Sequence, residues 1–203
     1  MGSDVVLKSI CDSNFLVENQ VQWPLVQQNA ITAFKKLGFP DQTIEAWKYI
    51  QLKPLLDCAF ETLKPQKDSG LMASMIPDEG AFRIVCLNGS FDFNSDLQPK
   101  GINCQLFSQL SDEQRETVLN RSVSIEKEPN PFVLLNTSSF SDGLYIHVDK
   151  KACIDKSVHV VIVTDQVGNV MFHPRLFVYS ESDSKLDLVV SYVHSEGHHF
   201  CNA

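Results

Sequence analysis

Leu144-Tyr-Ile-His-Val148, Val158-His-Val-Val-Ile-Val163, Arg175-Leu-Phe-Val-Tyr179 and Leu186 to Val193 are four runs rich in β-branched and aromatic residues. Asp142-Gly143, Val167-Gly168-Asn169 and Ser182-Asp-Ser184 separate them, and such residues turn a chain by tolerating positive φ or by bonding their own backbone. Phe132-Val-Leu-Leu135 reads as a further strand ahead of the series. No amphipathic helix interrupts the runs, which argues against a βαβ sheet and leaves a sandwich, a barrel or a β-solenoid. Leu186, Leu188, Val190 and Tyr192 alternate and so share one face. The series stops at Phe200-Cys-Asn-Ala203 with no cap, which a solenoid needs to protect its last edge. The expectation is therefore the N-terminal piece of a longer protein, whose open edge can pair with a second copy as a self-dimer.

Upstream, Phe82-Arg-Ile-Val-Cys-Leu87, then Asn88-Gly89, then Ser90-Phe-Asp-Phe93 predicts a β-hairpin, because Asn-Gly accepts the positive φ values of a type I′ turn. Ser111-Asp-Glu-Gln114 is a capping box that predicts a helix to about Arg121. Lys64 to Gly80 has linker composition, with one helical turn over Leu71, Met72, Met75 and Ile76. Before it lie three short helical stretches. The first starts at Trp23-Pro24 and carries Leu25, Val26, Ala30, Ile31, Phe34 and Leu37, with Lys35-Lys36 at its negative end and Gly38 beyond. The second is capped by Asp41 and carries Ile44, Trp47 and Lys48, and the third runs from Leu55 to Leu63 after Pro54. The expected organisation is a helical subdomain at 1–66, an α/β connector at 67–131 and a β-rich segment at 132–203.

The 203 residues and 43% hydrophobic content suffice for a sizeable core. Seventeen Lys plus Arg against 25 Asp plus Glu, a net charge of -8, deny the basic field that nucleic acid or an anionic membrane requires. No apolar run spans a bilayer, and Met1 to Val21, with Asp4, Asp12 and Glu18, lacks the apolar centre of a signal peptide. A cytoplasmic or organelle-stromal location is expected. Cys11, Cys58, Cys86, Cys104, Cys153 and Cys201 are widely spaced with no C-x-x-C pair, which reads as buried reduced thiols rather than a disulfide framework or a zinc knuckle.

Phosphate loops, H-E-x-x-H and G-x-S-x-G are absent. Asp92-x-Asn94-x-Asp96 opens like a calcium loop but has Leu97 where glycine must turn and Asn103 where a bidentate Glu is needed. His194, His198, His199 and Cys201 form the one cluster of metal-capable residues, in which His199 and Cys201 point the same way if they lie on a strand. A polar turn over Ser195-Glu196-Gly197-His198 between two strands, with Cys201 entering the core, is the plainer reading. His147 and His159 read as satisfied structural histidines, and His173 before Pro174-Arg175 as a residue that fixes a strand entry. Glu45-Ala-Trp47-Lys48-Tyr49 resembles a recognition patch that docks a peptide, set against a Trp47 buried on the first helix. On residue chemistry alone, a small metal-binding protein built on the His/Cys cluster and a β-rich binding module both stay open.

One family gathers the remaining motifs. Gly38-Phe-Pro40 followed by Glu45-Ala-Trp-Lys-Tyr49, then Val85-Cys-Leu-Asn-Gly89 with Phe91, resembles the SufB/SufD proteins of iron–sulfur cluster assembly, the SufD type in particular. Asn136, Asp142-Gly143 with Tyr145-Ile146, His173-Pro-Arg175 and Asn202 follow in the family's order, while Ile50 stands where threonine is usual. The resemblance implies an α+β chain: an N-terminal helical subdomain, an α/β connector, then the first turns of a right-handed parallel β-helix. It implies a non-enzymatic scaffold subunit partnered by a SufB-like paralogue and a SufC-like ABC ATPase. Iron or an iron–sulfur cluster belongs to the whole complex, and a flavin accompanies some such scaffolds. The family's functional Cys and His lie in later segments, so no catalytic, cofactor-binding or metal residue carries over to this chain. The His-Ser-Glu-Gly-His-His run departs from the family pattern.

Overall fold

The computed structural model describes residues 24–62, 80–124, 130–194 and 196–203. In chain order these form α1 (Pro24–Leu37), α2 (Lys53–Leu56), β1 (Glu61–Thr62), β2 (Phe82–Leu87), β3 (Ser90–Asp92), β4 (Ile102–Leu106), α3 (Asp112–Ser124), α4 (Pro131–Ser139), β5 (Gly143–Val148), β6 (Val158–Thr164), β7 (Gly168–Phe172), β8 (Arg175–Ser180), β9 (Leu188–His194) and β10 (Gly197–Cys201). No described helix is long and apolar enough to cross a membrane. The Leu71–Ile76 turn and Cys11 lie outside the described residues.

The strands make three sheets, ordered β1-β7-β10, β3-β2-β6-β9 and β4-β5-β8. From β5 onward the chain visits the three sheets in a fixed order, twice. β8 lies parallel to β5 with Gly143 opposite Arg175, β9 parallel to β6 with Val158 opposite Leu188, and β10 parallel to β7 with Gly168 opposite Gly197. Each second-pass strand thus repeats the side-chain phase of the first. β2 extends the same parallel stacking on the other side of β6, and β1 does so for β7, whereas β3 and β4 join antiparallel.

Strand alternation sends Leu144, Ile146 and Val148, Val158, Val160 and Ile162, and Val170 and Phe172 into one interior, shared with Ile84, Cys86, Ile102 and Cys104. Full burial of such a side chain contributes about 1.5–3 kcal/mol, so this interior dominates the stability of the β region. A second core forms on the outer face of the β1-β7-β10 sheet. There Ile31 and Phe34 of α1, Leu135 of α4, Phe60 and Met171 are buried together.

Several sequence expectations hold in detail. α1 spans Pro24–Leu37 and is followed by Gly38, whose φ of 73° suits glycine. The β2–β3 hairpin turns through Asn88 (φ 50°) and Gly89 (φ 90°), pairing Leu87 with Ser90. Ser111 and Gln114 exchange the two capping-box hydrogen bonds at the start of α3, which continues past Arg121 to Ser124.

Others are corrected. Phe132–Leu135 is helical, because Asn130 accepts the Phe132 N–H at 2.9 Å as an N-cap and Pro131 occupies the first helical position. The helix expected over Leu55–Leu63 lasts only four residues, Lys53–Leu56, and Glu61–Thr62 instead pairs in parallel with Val170–Met171. Asp41 accepts hydrogen bonds from Thr43 rather than capping an α-helix, and only a 3-10 turn forms at Glu45–Trp47. Gly168-Asn169, read as a turn, opens β7, and Gly197-His198 opens β10. Both strands are short and start at a glycine with positive φ, so propensity understates them.

Candidate functional site

The motif residues that are farthest apart in sequence converge on one polar knot. Asn136, buried on α4, donates through Nδ2 to the Pro174 carbonyl at 2.8 Å and to the Asn202 carbonyl at 2.6 Å. Its Oδ1 accepts from Arg175 Nη1 at 2.9 Å, and the same nitrogen donates to Thr137 Oγ1 at 2.7 Å. Asn202 returns the bond by donating to the Phe132 carbonyl at 2.8 Å. One side-chain amide therefore joins α4, the entry to β8 and the strand exit after β10. An amide carries both donors and acceptors, which no apolar residue could supply to these buried carbonyls. His173 sits beside the knot, fully buried, with Asn202 Nδ2 at 3.4 Å from Nδ1 and the Phe200 ring edge-on at 6.0 Å. Burial holds its pKa down to about 3, so the imidazole is neutral.

An aromatic chain covers the knot. Phe39 packs edge-on against Phe34 at 5.1 Å and tilted against Phe132 at 5.8 Å, and Phe132 meets Trp47 at 5.2 Å and Phe200 at 6.2 Å. Trp47 is half-buried on α4 rather than on α1, and Tyr49 beside it is 86% exposed with the Lys48 ammonium 5.6 Å from its ring centroid. The Gly38-Phe-Pro40 and Trp47 motif and the Asn136, His173 and Asn202 motifs thus occupy one structural junction.

The His/Cys cluster is split by strand alternation. His199 and Cys201 lie opposite Val170 and Phe172 and face inward, whereas His198 lies opposite Asn169 on the other face and is exposed. Cys201 enters the core, as the plainer reading had it. His194, at the end of β9, meets the His199 ring edge-on at 5.5 Å. His199 Nε2 donates to the Gln166 carbonyl at 3.0 Å, leaving Nδ1 as a buried acceptor with no hydrogen-bond partner among the described residues. His194, His198 and His199 border a groove of about 660 Å³ whose opposite wall carries Pro54, Cys58 and Phe60. The four cluster residues do not bring their ligand atoms together at one point.

The described cysteines are all free thiols, as the spacing suggested, but only Cys86 and Cys104 are buried, while Cys58 and Cys201 are half-buried and Cys153 is exposed. Burial raises Cys86 well above the usual thiol range and pushes Cys104 and Cys201 up to about 12. Such thiols are protonated at neutral pH and make poor nucleophiles. Asn94, from the calcium-like run, caps a 3-10 turn by accepting the Asp96 N–H at 3.0 Å. His159 Nε2 lies 2.8 Å from Ser191 Oγ, and His147 Nε2 lies 2.9 Å from Glu181 Oε1. The sequence identified Asn136, His173, Arg175 and Asn202 as motif positions but not as mutual partners. Only the two-pass winding of the strands brings residues so distant in the chain into contact.

Comparison with known proteins finds one family. A model of the SufBD protein N-terminal region matches residues 16–160. An iron–sulfur cluster assembly SufBD family protein of Synechocystis sp. is 24% identical over 172 residues, covering 82% of this chain and 38% of that relative. The chain thus spans well under half the length of that relative.

Proposed function

The chain belongs to the SufBD family, whose N-terminal region it carries, and from that premise we propose that it serves as the SufD-type subunit of an iron–sulfur cluster assembly scaffold. The match over residues 16–160 carries the reading, and the relative's name supplies the process. The role is non-catalytic, in the cytoplasm, with a SufB-like paralogue and a SufC-like ATPase as partners and with iron or a cluster as cargo of the whole assembly. Residues 1–66, 67–131 and 132–203 serve as helical anchor, connector and first turns of a right-handed parallel β-helix. The repeated parallel pairing of β5 with β8, β6 with β9 and β7 with β10 supports that last assignment.

The motif junction supports a scaffold reading. Its residues are consumed in hydrogen bonds and ring contacts within the chain, and its one histidine is neutral and buried. The test is native isolation from source cells through a tag on this protein. Co-purification of a SufB-like protein and an ABC ATPase is expected, and a protein that elutes apart from both would overturn the proposal.

A further inference from the structure

We propose that His147, Asp149 and Glu181 form a binding site for a divalent first-row metal ion at the ends of β5 and β8. The three residues offer one ligand atom each, and these atoms all lie within 4.8 Å of one another. Their convergence follows from the strand pairing. Tyr145 and His147 occupy alternate positions on the outer face of β5, Asp149 follows directly after the strand ends at Val148, and His147 lies opposite Tyr179 on β8. The Glu181 N–H donates to the Val148 carbonyl at 3.0 Å and the Asp149 N–H to the Gly101 carbonyl at 3.0 Å, which anchors the backbone of both residues at the strand ends.

The imidazole is fixed as well. The His147 ring stacks on Tyr179 at 5.4 Å and 20°, with Tyr145 tilted against its other side at 6.2 Å. Its freedom to swing away is thereby restricted, and Nε2 lies 2.9 Å from Glu181. Ligands held on rigid strands before the ion arrives lose less entropy on binding. The set also has the charge a cation requires, since two carboxylates carry the charge opposite to that of a divalent ion. Among the described residues the carboxylates make no ion pair with lysine or arginine, since Glu181 pairs only with His147. Arg121, on the same side of the sheet, is directed over the Tyr179 ring with its guanidinium carbon 4.7 Å from the centroid.

The ligand types select the ion. Imidazole beside two carboxylates suits zinc, iron(II), cobalt(II) or manganese(II), and the absence of thiolate from the trio disfavours copper(I). His147 and Glu181 border a cleft of about 480 Å³ between α3 and the sheet, which leaves room for water to complete the coordination. Binding through Nε2 uses the lone pair of that nitrogen with the ring proton on Nδ1, so the contact with Glu181 gives way to the bond to the ion. The site stands on this geometry and is independent of the role proposed in cluster assembly.

The test is calorimetric titration of the metal-free 203-residue protein with Zn²⁺, repeated with Co²⁺ while its visible absorption is recorded. One ion per chain is expected, with d–d bands of a nitrogen- and oxygen-ligated site. His147→Ala, Glu181→Gln and Asp149→Asn should each weaken binding at least about tenfold, the scale on which even outer partners of metal ligands act. All three should keep the wild-type circular dichroism, since the residues are surface-accessible. Replacing His194 and His198 with Ala should leave that affinity unchanged. Lack of stoichiometric binding, or binding that survives His147→Ala and Glu181→Gln, would overturn the site and leave an ordinary histidine–carboxylate pair. Either result leaves the family assignment untouched.

Discussion

β6 and β9 have the same direction and the same register, yet they live in different surroundings. Val160 and Ile162 are 1% and 5% exposed, whereas their partners Val190 and Tyr192 are 37% and 58% exposed. β5 and β8 repeat the contrast, with Ile146 fully buried and its partner Val178 at 37%. The side chains of the second pass have the right phase for an interior but little packed over them, and β8, β9 and β10 are each the outermost strands of their sheets among the described residues. Periodicity therefore sets which way a side chain points, while burial depends on whether another layer is stacked on it.

The largest expected effect breaks this comparison if it fails. Ile162→Ala should cost about 2–5 kcal/mol, as deletions in packed cores do, while Tyr192→Ala, its register partner, should cost under about 1 kcal/mol. Urea denaturation of the two variants measures both, and equal losses would show that the second pass is as well packed as the first. Next, Asn136→Ala should cost about 2–3 kcal/mol, because it leaves two buried carbonyls and an arginine short of partners. A loss under about 0.5 kcal/mol would mean the junction is not what clamps the two passes to α4.

A smaller effect concerns pH. His173 has a folded-state pKa near 3, below the roughly 6.5 of an exposed histidine, so the unfolded chain binds its proton more readily. Its contribution is intact above about pH 6.5 and is lost progressively as pH falls, at no more than about 1.4 kcal/mol per unit. Stability of wild type and His173→Gln between pH 7 and 5 should therefore converge on acidification, and parallel curves would contradict a neutral buried imidazole. Smallest is Gly89→Ala. With φ of 90° it should cost about 1 kcal/mol from backbone strain, since a Cβ there meets nothing closer than 3.9 Å.

The sequence revealed elements wherever local chemistry was strong. Asn88-Gly89, Ser111 with Gln114, and the Pro24 and Gly38 boundaries each act over a few residues and were legible. Phe132–Leu135 was misread because its β-branched and apolar content resembles a strand, although Asn130-Pro131 is a helix start. β1 and β7 escaped notice because they are short and owe their pairing to strands distant in the chain, whereas a strand carrying Cys201 was legible and β10 begins two residues earlier than the turn reading placed it. The motif junction was legible as a set of positions and not as contacts. The metal-capable histidines show the same limit. Proximity in sequence pointed to His194, His198, His199 and Cys201, which strand alternation divides, while the trio that meets comes from residues 147, 149 and 181 on neighbouring strands.

The most direct test of the central claim is the activity of iron–sulfur enzymes in source cells depleted of this protein and grown under iron limitation. Their activity should fall while their polypeptide levels persist, and restoring the intact protein should recover it. Unchanged iron–sulfur enzyme activity in cells that demonstrably lack the protein would contradict a role in cluster assembly.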